Sequence, residues 1–340
     1  MRSADGSFRP DRRAMLGGAV GLSVLAAVGD ARAAQVNVPS PIKRPPPAKT
    51  LPAAWTRAER LPLWGKDMPG AGQFRAEPLP PDYPPVYRRN IAEPALHVFR
   101  PARPNGAAVL VIPGGAYLMV SIDNEGVAIA DRLTTMGYHV FVLTYRLPNE
   151  GWRDRADVPL QDAQRAARLV RSLAPRFGFD ADRLATVGFS AGGHLAATLA
   201  TAFDDRVYAP RDAIDALSAR PAATGLIYPV ITMTDPYTHA QSRAMLLGDH
   251  PSPALIAHRS PDQHVGAATP PIFLACACDD SHVPIENSEM MMAACRKAGR
   301  PVEAHFFQEG EHAFSVGYAG TPSSLWLDLF DLWLKRAGVG

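Results

Sequence analysis

The stretch Leu184-Ala-Thr-Val-Gly188-Phe-Ser190-Ala-Gly192-Gly-His194 constrains this chain more than any other. A short apolar segment, residues 184–187, runs into Gly188-Phe189-Ser190-Ala191-Gly192, and a helix-forming run, residues 193–202, follows at once. This is Gly-x-Ser-x-Gly in strand–turn–helix context, where a serine is presented on a tight, strained turn. Glycine on both sides lets strand and helix approach closely, which pushes the hydroxyl outward. The helix N-terminus then aims free N–H groups and a positive dipole end at that hydroxyl. The bare pattern recurs by chance, and its bland reading is a glycine-rich helix start without chemistry. The flanking strand and helix favour a nucleophile.

The remaining apolar runs alternate with helical ones. Strands are expected at 96–99, 107–112, 138–145, 225–230, 271–277 and 302–307; helices at 125–136, 159–177, 286–298 and 324–335. Such alternation implies a doubly wound, mostly parallel α/β sheet. With 340 residues, 47% of them hydrophobic, the chain can bury one large α/β domain, here 55–340. Arg165, Arg168 and Arg171 follow near-helical spacing and read as a solvated face.

The N-terminus reads as a leader. Arg12-Arg13 precedes an apolar Gly/Ala-rich run, residues 14–28, and Ala31-Arg32-Ala33 has the small-x-small pattern of a cleavage site. Residues 1–33 therefore read as a twin-arginine signal peptide, and the protein as exported. The run is shorter than a bilayer span, so no stable membrane span is expected after its removal; an uncleaved membrane anchor is the alternative. The leader carries five Arg and three Asp; without it, basic and acidic side chains balance, and nothing points to a nucleic-acid partner. Residues 34–54 are a proline-dense linker. Residues 55–93 read as an irregular arm whose Trp55, Trp64, Tyr83 and Tyr87 pin it down, with the rim of a substrate cleft as their alternative role, and 232–266 as a small insertion capping the cleft, with Tyr237, His239, Arg243 and Met245 as candidate contacts. Cys276 and Cys278 read as buried small hydrophobes, with a bridge from one of them to Cys295 left open.

A serine hydroxyl needs a base to take its proton and an acid to orient that base. In a doubly wound sheet both should follow the C-terminal ends of strands. His312, in a Gly-containing loop after the last strand, is the candidate base. Asp280 is the candidate acid, because Asp-x-x-Val-Pro places it at the start of a loop whose Pro284 opens a helix; Asp279 is the alternative. His194, one turn after Ser190, reads as core or support, whereas His282 can line the cleft. The other histidines show no metal-ligand spacing, so no catalytic metal or other cofactor is expected. An oxyanion needs aimed N–H donors. Ala191 supplies one, and the loop Gly114-Gly115-Ala116 after strand 107–112 supplies others.

These residues resemble carboxylesterases of the α/β-hydrolase fold, in particular the bacterial feruloyl/acetylxylan-esterase-like branch, BD-FAE-like. The matching pieces are Pro113-Gly-Gly-Ala-Tyr117, Glu125-Gly126, Tyr145-Arg-Leu-Pro148, Gly188-Phe-Ser-Ala-Gly-Gly-His194, Asp279-Asp280-Ser-His-Val-Pro-Ile-Glu-Asn-Ser288 and Gly310-Glu-His-Ala-Phe314. The resemblance covers about residues 94–338. It implies Ser190 as nucleophile, Asp280 as acid, His312 as base, and the N–H groups of Gly115, Ala116 and Ala191 as the oxyanion hole. Tyr117, Glu125 and His282 become candidate substrate contacts. The chain departs from the family pattern at Pro113, where many relatives have His, at Ala116, where many have a third Gly, and in Gly-Glu-His-Ala-Phe in place of Gly-Gly-His-Gly-Phe. The alanines keep the N–H groups but narrow the cleft.

The expectation is an exported serine esterase acting on a small acyl ester or an acetylated oligosaccharide derived from xylan. A second reading keeps the fold and changes the substrate, to a general short-chain ester, a formamide or a peptide. The third, a non-catalytic binding protein of this fold, is disfavoured because Ser, Asp and His are all present in order.

Overall fold

The apolar runs pair into one eight-stranded sheet. The computed structural model describes residues 46–66, 68–70 and 74–340. The expected leader, 1–33, and most of the expected linker lie outside the described residues. In chain order the strands are β1 (Glu59–Pro62), β2 (Tyr87–Arg88), β3 (Ala95–Phe99), β4 (Ala108–Ile112), β5 (Val120–Ser121), β6 (His139–Thr144), β7 (Leu184–Phe189), β8 (Ala223–Ile227), β9 (Ile272–Ala277) and β10 (Val302–Phe307). The main sheet runs β1-β3-β6-β4-β7-β8-β9-β10, and β2 and β5 form a separate small ladder. From β6 to β10 every neighbour is parallel. The strands β3, β4, β6, β7, β8 and β9 are buried along their whole length, as expected where helices cover both faces of a sheet.

The α-helices are α1 (Ala53–Arg57), α2 (Ala128–Thr135), α3 (Val158–Ser172), α4 (Ala174–Phe177), α5 (Ser190–Thr201), α6 (Ala240–Leu247), α7 (Pro253–His258), α8 (Glu286–Lys297) and α9 (Trp326–Arg336). A π-helical turn, Asp123–Val127, precedes α2. Among the described residues no helix is long and apolar enough to cross a membrane.

Four expectations need correction. The helix expected over 159–177 is two, because Pro175 has no N–H to donate and α4 restarts after Leu173. The arm is not irregular throughout: α1 begins at Ala53, inside the expected linker, and β1 adds an antiparallel edge strand against β3. The arginines of α3 are not a solvated face. Arg165 is buried and pairs with Asp212 and Asp215 at 2.6 and 3.0 Å, Arg168 donates to the Leu217 carbonyl, and Arg171 donates to that of Arg220. Finally, the three cysteines are free and Cys278 is exposed, since β9 ends at Ala277 before it.

A buried ion pair fastens the arm. Arg146 and Asp162 are both fully buried and meet at 2.7 Å. Asp162 also accepts from the Arg146 N–H at 2.8 Å and from the Trp64 indole at 2.7 Å. Arg146 donates onward to the Pro69 carbonyl and to Gln161. Two buried charges cost several kcal/mol of desolvation each, so this arrangement persists only because its donors and acceptors are matched. Asp162→Ala strands the guanidinium and should destabilise the protein by about 3–5 kcal/mol in a urea titration; a loss below about 1 kcal/mol would show that the arm does not depend on this pair.

Candidate active site

Ser190 sits where β7 ends and α5 begins. Its φ is 52°, a left-handed conformation that costs a residue with a Cβ of order 1–3 kcal/mol. Both flanking glycines are sterically required. A Cβ on Gly188 would lie 2.3 Å from the Gly192 carbonyl oxygen. One on Gly192 would lie 2.2 Å from the Ile112 oxygen and 2.4 Å from the Pro113 oxygen. The turn is thus closed against the loop that follows β4, which brings the serine beside Gly115 and Ala116.

The structure brings three side chains from separate strand ends into line. His312 Nε2 lies 2.8 Å from Ser190 Oγ, and His312 Nδ1 lies 2.7 Å from Asp280 Oδ2. Asp280 is buried, and its other oxygen accepts from the N–H groups of His282 and Val283, both at 2.9 Å. Asp279, the alternative acid, faces elsewhere. Its carboxylate accepts from the N–H groups of Glu311 at 2.8 Å and Gly310 at 3.3 Å. The two adjacent aspartates divide the work: Asp280 meets the imidazole, and Asp279 pins the loop that carries it.

Gly115, Ala116 and Ser190 border a cleft of about 520 Å³, and Ala191 follows directly at the start of α5. The loop that carries Gly115 is held from three sides. Glu125 Oε2 accepts from the Gly114 N–H at 2.8 Å, Tyr145 donates to the Pro113 carbonyl at 3.0 Å, and Ser121 N–H donates to the Gly114 carbonyl at 3.0 Å. Glu125 borders the cleft but is almost wholly buried, and its Oε1 accepts from Tyr228 at 3.1 Å. Its described partners make it a brace for the loop after β4 more than a contact for substrate. The π-helical turn delivers it there; Val127 N–H bonds the Ile122 carbonyl five residues back.

Tyr117 is a correction. Its side chain is buried and donates to His194 Nδ1 at 2.7 Å, away from the cleft. His194 Nε2 in turn donates to the Arg259 carbonyl at 2.8 Å. Burial pushes His194 down to about 4, so the ring stays neutral and supports the packing, as expected. His282 does border the cleft and stacks on His312 with ring centroids 5.4 Å apart.

From the insertion, His239 and Gln241 reach the cleft, whereas Tyr237, Arg243 and Met245 do not border it. Arg243 pairs with Asp235, and Met245 offers its carbonyl to Arg155. Burial, reinforced by the nearby His312 and His282, pushes His239 down to about 4. A neutral imidazole in that wall can exchange hydrogen bonds with hydroxyl groups. Asn287 was not singled out from the sequence. Fully buried, it accepts from the N–H groups of Ile231 and Thr232 and donates to the carbonyls of Tyr237 and Pro284, tying the insertion to the acid loop. Its position in the Asp280-to-Ser288 motif was the available signal.

A parallel sheet with a serine at a strand–helix turn, an acid after β9 and a histidine after β10 is the α/β-hydrolase fold. Residues 96–295 match the BD-FAE family model, and the chain belongs to the BD-FAE family. That span ends before His312, so the histidine joins the site through the fold. The chain is 37% identical over 208 residues to endo-1,4-beta-xylanase B of Butyrivibrio fibrisolvens, covering 61% of this chain and 32% of that protein. It is 33% identical over 223 residues to an acetylxylan esterase of Xylanibacter ruminicola, covering 64% and 43%. The chain therefore spans less than half the length of these curated relatives. An acetyl ester-xyloside bifunctional hydrolase from Caldicellulosiruptor lactoaceticus superposes with a TM-score of 0.70 at 32% identity, covering 83% of this chain and 97% of that one.

The division between the two aspartates is testable with a fluorophosphonate probe, which labels an activated serine. Asp280→Asn should slow labelling of Ser190 by roughly 10³–10⁴, the loss typical when the orienting acid is neutralised. Asp279→Asn should slow it far less. Equal losses in the two variants would contradict the assignment.

Proposed function

We propose that the protein is a carboxylic ester hydrolase that removes acetyl or other small acyl groups from xylan-derived carbohydrate, through an ester of Ser190. The observation that carries this reading is the continuous line Ser190–His312–Asp280, with contacts of 2.8 and 2.7 Å. In the proposed reaction His312 Nε2 takes the Ser190 proton as Oγ attacks the acyl carbon. Asp280 fixes the imidazole orientation and balances the imidazolium charge. The oxyanion is received by the N–H groups of Ala191, Gly115 and Ala116, each such donor typically contributing about 10²–10³ in rate. The intermediate collapses as His312 protonates the departing sugar hydroxyl. Water, deprotonated by the same imidazole, then attacks the acyl-serine and releases the acid.

The carbohydrate part of the reading draws on the named relatives, an acetylxylan esterase, a xylanase and an acetyl ester-xyloside hydrolase. The cleft is compatible with it. Tyr87 and Tyr318 border it together with neutral His239, and such a mixture of aromatic faces and hydrogen-bonding groups suits a sugar. Export by the twin-arginine route remains part of the proposal, supported by Arg12-Arg13 and the small-x-small site at 31–33.

Acetate release from acetylated xylan fragments, measured beside hydrolysis of 4-nitrophenyl acetate, tests the proposal. Both activities are expected, and Ser190→Ala should lower kcat on each by about 10⁴–10⁶. Turnover of the nitrophenyl ester alone would leave a serine esterase with a different natural substrate. Turnover indifferent to Ser190→Ala would sink the mechanism.

A further inference from the structure

Three hollows meet along the arm. The cleft at Ser190 is walled in part by Val86 and Tyr87. A second hollow of about 410 Å³ is bordered by Tyr83, Tyr87, Arg88 and Arg89. A third, of about 390 Å³, is bordered by Trp55, Arg60, Arg88, Asn90 and His97. Tyr87 belongs to the first and second hollows, and Arg88, Arg89 and Asn90 to the second and third. They are therefore contiguous. The cause lies in β2, where successive side chains point to opposite faces, so that Tyr87 looks toward the cleft and Arg88 away from it. The ladder fixes this register, pairing Tyr87 with Ser121 and Arg88 with Val120. Beyond β2 the backbone is anchored by buried Glu150, which accepts from the N–H groups of Asn90 at 2.6 Å and Ile91 at 3.2 Å.

The far hollow is cationic but only modestly so. Arg60 pairs with Glu93 at 3.2 Å and Arg89 with Glu77 at 2.5 Å. No carboxylate among the described residues pairs with exposed Arg88. About one positive charge is left uncompensated, which suits a single carboxylate better than a polyanion. His97 borders the same hollow. Only 8% exposed, it stacks on Trp55, and its Nδ1 finds no hydrogen-bond partner among the described residues. A buried polar atom of this kind costs free energy unless something satisfies it. Burial, then the guanidinium groups of Arg60 and Arg88, push its basicity down to about 4, so the ring adds no charge to the hollow.

We infer that this surface is an extended binding track for an acidic oligosaccharide. The acylated sugar sits at Ser190, the following units cross Tyr87 and Tyr83, and a carboxylate-bearing unit reaches Arg60 and Arg88. The inference rests on the carbohydrate-ester reading above and adds its charge and its length. Beyond the cleft most of the track belongs to the arm, which precedes the residues that match the family model; His97 lies within them.

The test compares an acetylated xylo-oligosaccharide carrying a glucuronic acid branch with its neutral counterpart. The wild-type protein should favour the acidic fragment about tenfold in kcat/KM, the scale of one partly exposed charge-assisted hydrogen bond. Arg88→Ser should bring the ratio close to one, and Arg88→Glu should invert it. Arg88 is exposed, so neither change should threaten folding. Equal kcat/KM on the two fragments, or a preference untouched by Arg88→Ser, overturns the track. Calorimetric titration of the deacetylated acidic fragment into Ser190→Ala gives a readout independent of turnover; Arg88→Ser in that background should weaken binding about tenfold. Should neither acetylated fragment be hydrolysed while 4-nitrophenyl acetate is, the carbohydrate-ester reading fails. The titration then decides the track alone, and absence of binding overturns it.

Discussion

At Gly192 the place of a side chain is taken by the carbonyl oxygens of Ile112 and Pro113, 2.2 and 2.4 Å from where a Cβ would be. Two backbone segments far apart in sequence can approach this closely only where one lacks a Cβ. That approach sets the rest of the site. It seats the loop after β4 against the start of α5, so N–H groups from both segments can serve one oxygen. It also forces the chain at Ser190 into the left-handed conformation that lifts the hydroxyl off the helix. A methyl group at Gly192 would push Ser190 away from Gly115 and Ala116, two of the three candidate oxyanion donors.

Strain held at one turn needs rigid surroundings. Left-handed backbone recurs around the cleft, at Ala116, Tyr117, Tyr228, Glu311, Ala313 and Ser315 as well as Ser190. Ala116 and Ala313 stand where many relatives of the resembled branch carry glycine, so this chain keeps the backbone shape at a greater conformational cost. Buried hydrogen bonds hold it. Glu125 links the oxyanion loop to Tyr228, and Tyr228 OH accepts from the Ser315 N–H at 3.3 Å beyond the histidine. Trp326, at the start of α9, donates to the Ser315 carbonyl at 2.7 Å. The base loop is thereby fastened to the closing helix, and Asp279 fastens its other end.

What could be read from the sequence was what short-range pattern encodes. Gly-x-Ser-x-Gly, the Asp-x-x-Val-Pro loop and the final Gly-Glu-His-Ala-Phe each carry a local steric or turn requirement, and the structure places them after β7, β9 and β10, on the same side of the sheet as their strands' C-terminal ends. The apolar runs gave the parallel strands, and β10 falls at the expected residues, 302–307. Less legible were features set by partners distant in sequence. The residues Glu59–Pro62 form a strand only because β3 offers an edge. Arg165 looks like a surface arginine until Asp212 and Asp215 fold over it. Tyr117 lies beside the oxyanion loop in sequence, yet His194, 77 residues on, takes its hydroxyl. Which aspartate of the 279–280 pair meets the histidine is not encoded locally, because both carboxylates reach into the loop after β10. Pro175, by contrast, is a break signal visible in the sequence itself.

The central claim is that hydrolysis passes through an ester of Ser190. The most direct measurement is an acid quench during turnover of 4-nitrophenyl acetate, followed by peptide mass spectrometry to locate the acetyl group. The account predicts acetylation of the peptide containing Ser190, appearing with a burst of nitrophenolate equal to the enzyme concentration. An acetyl group on another residue, or a full burst with Ser190 unmodified, would contradict it.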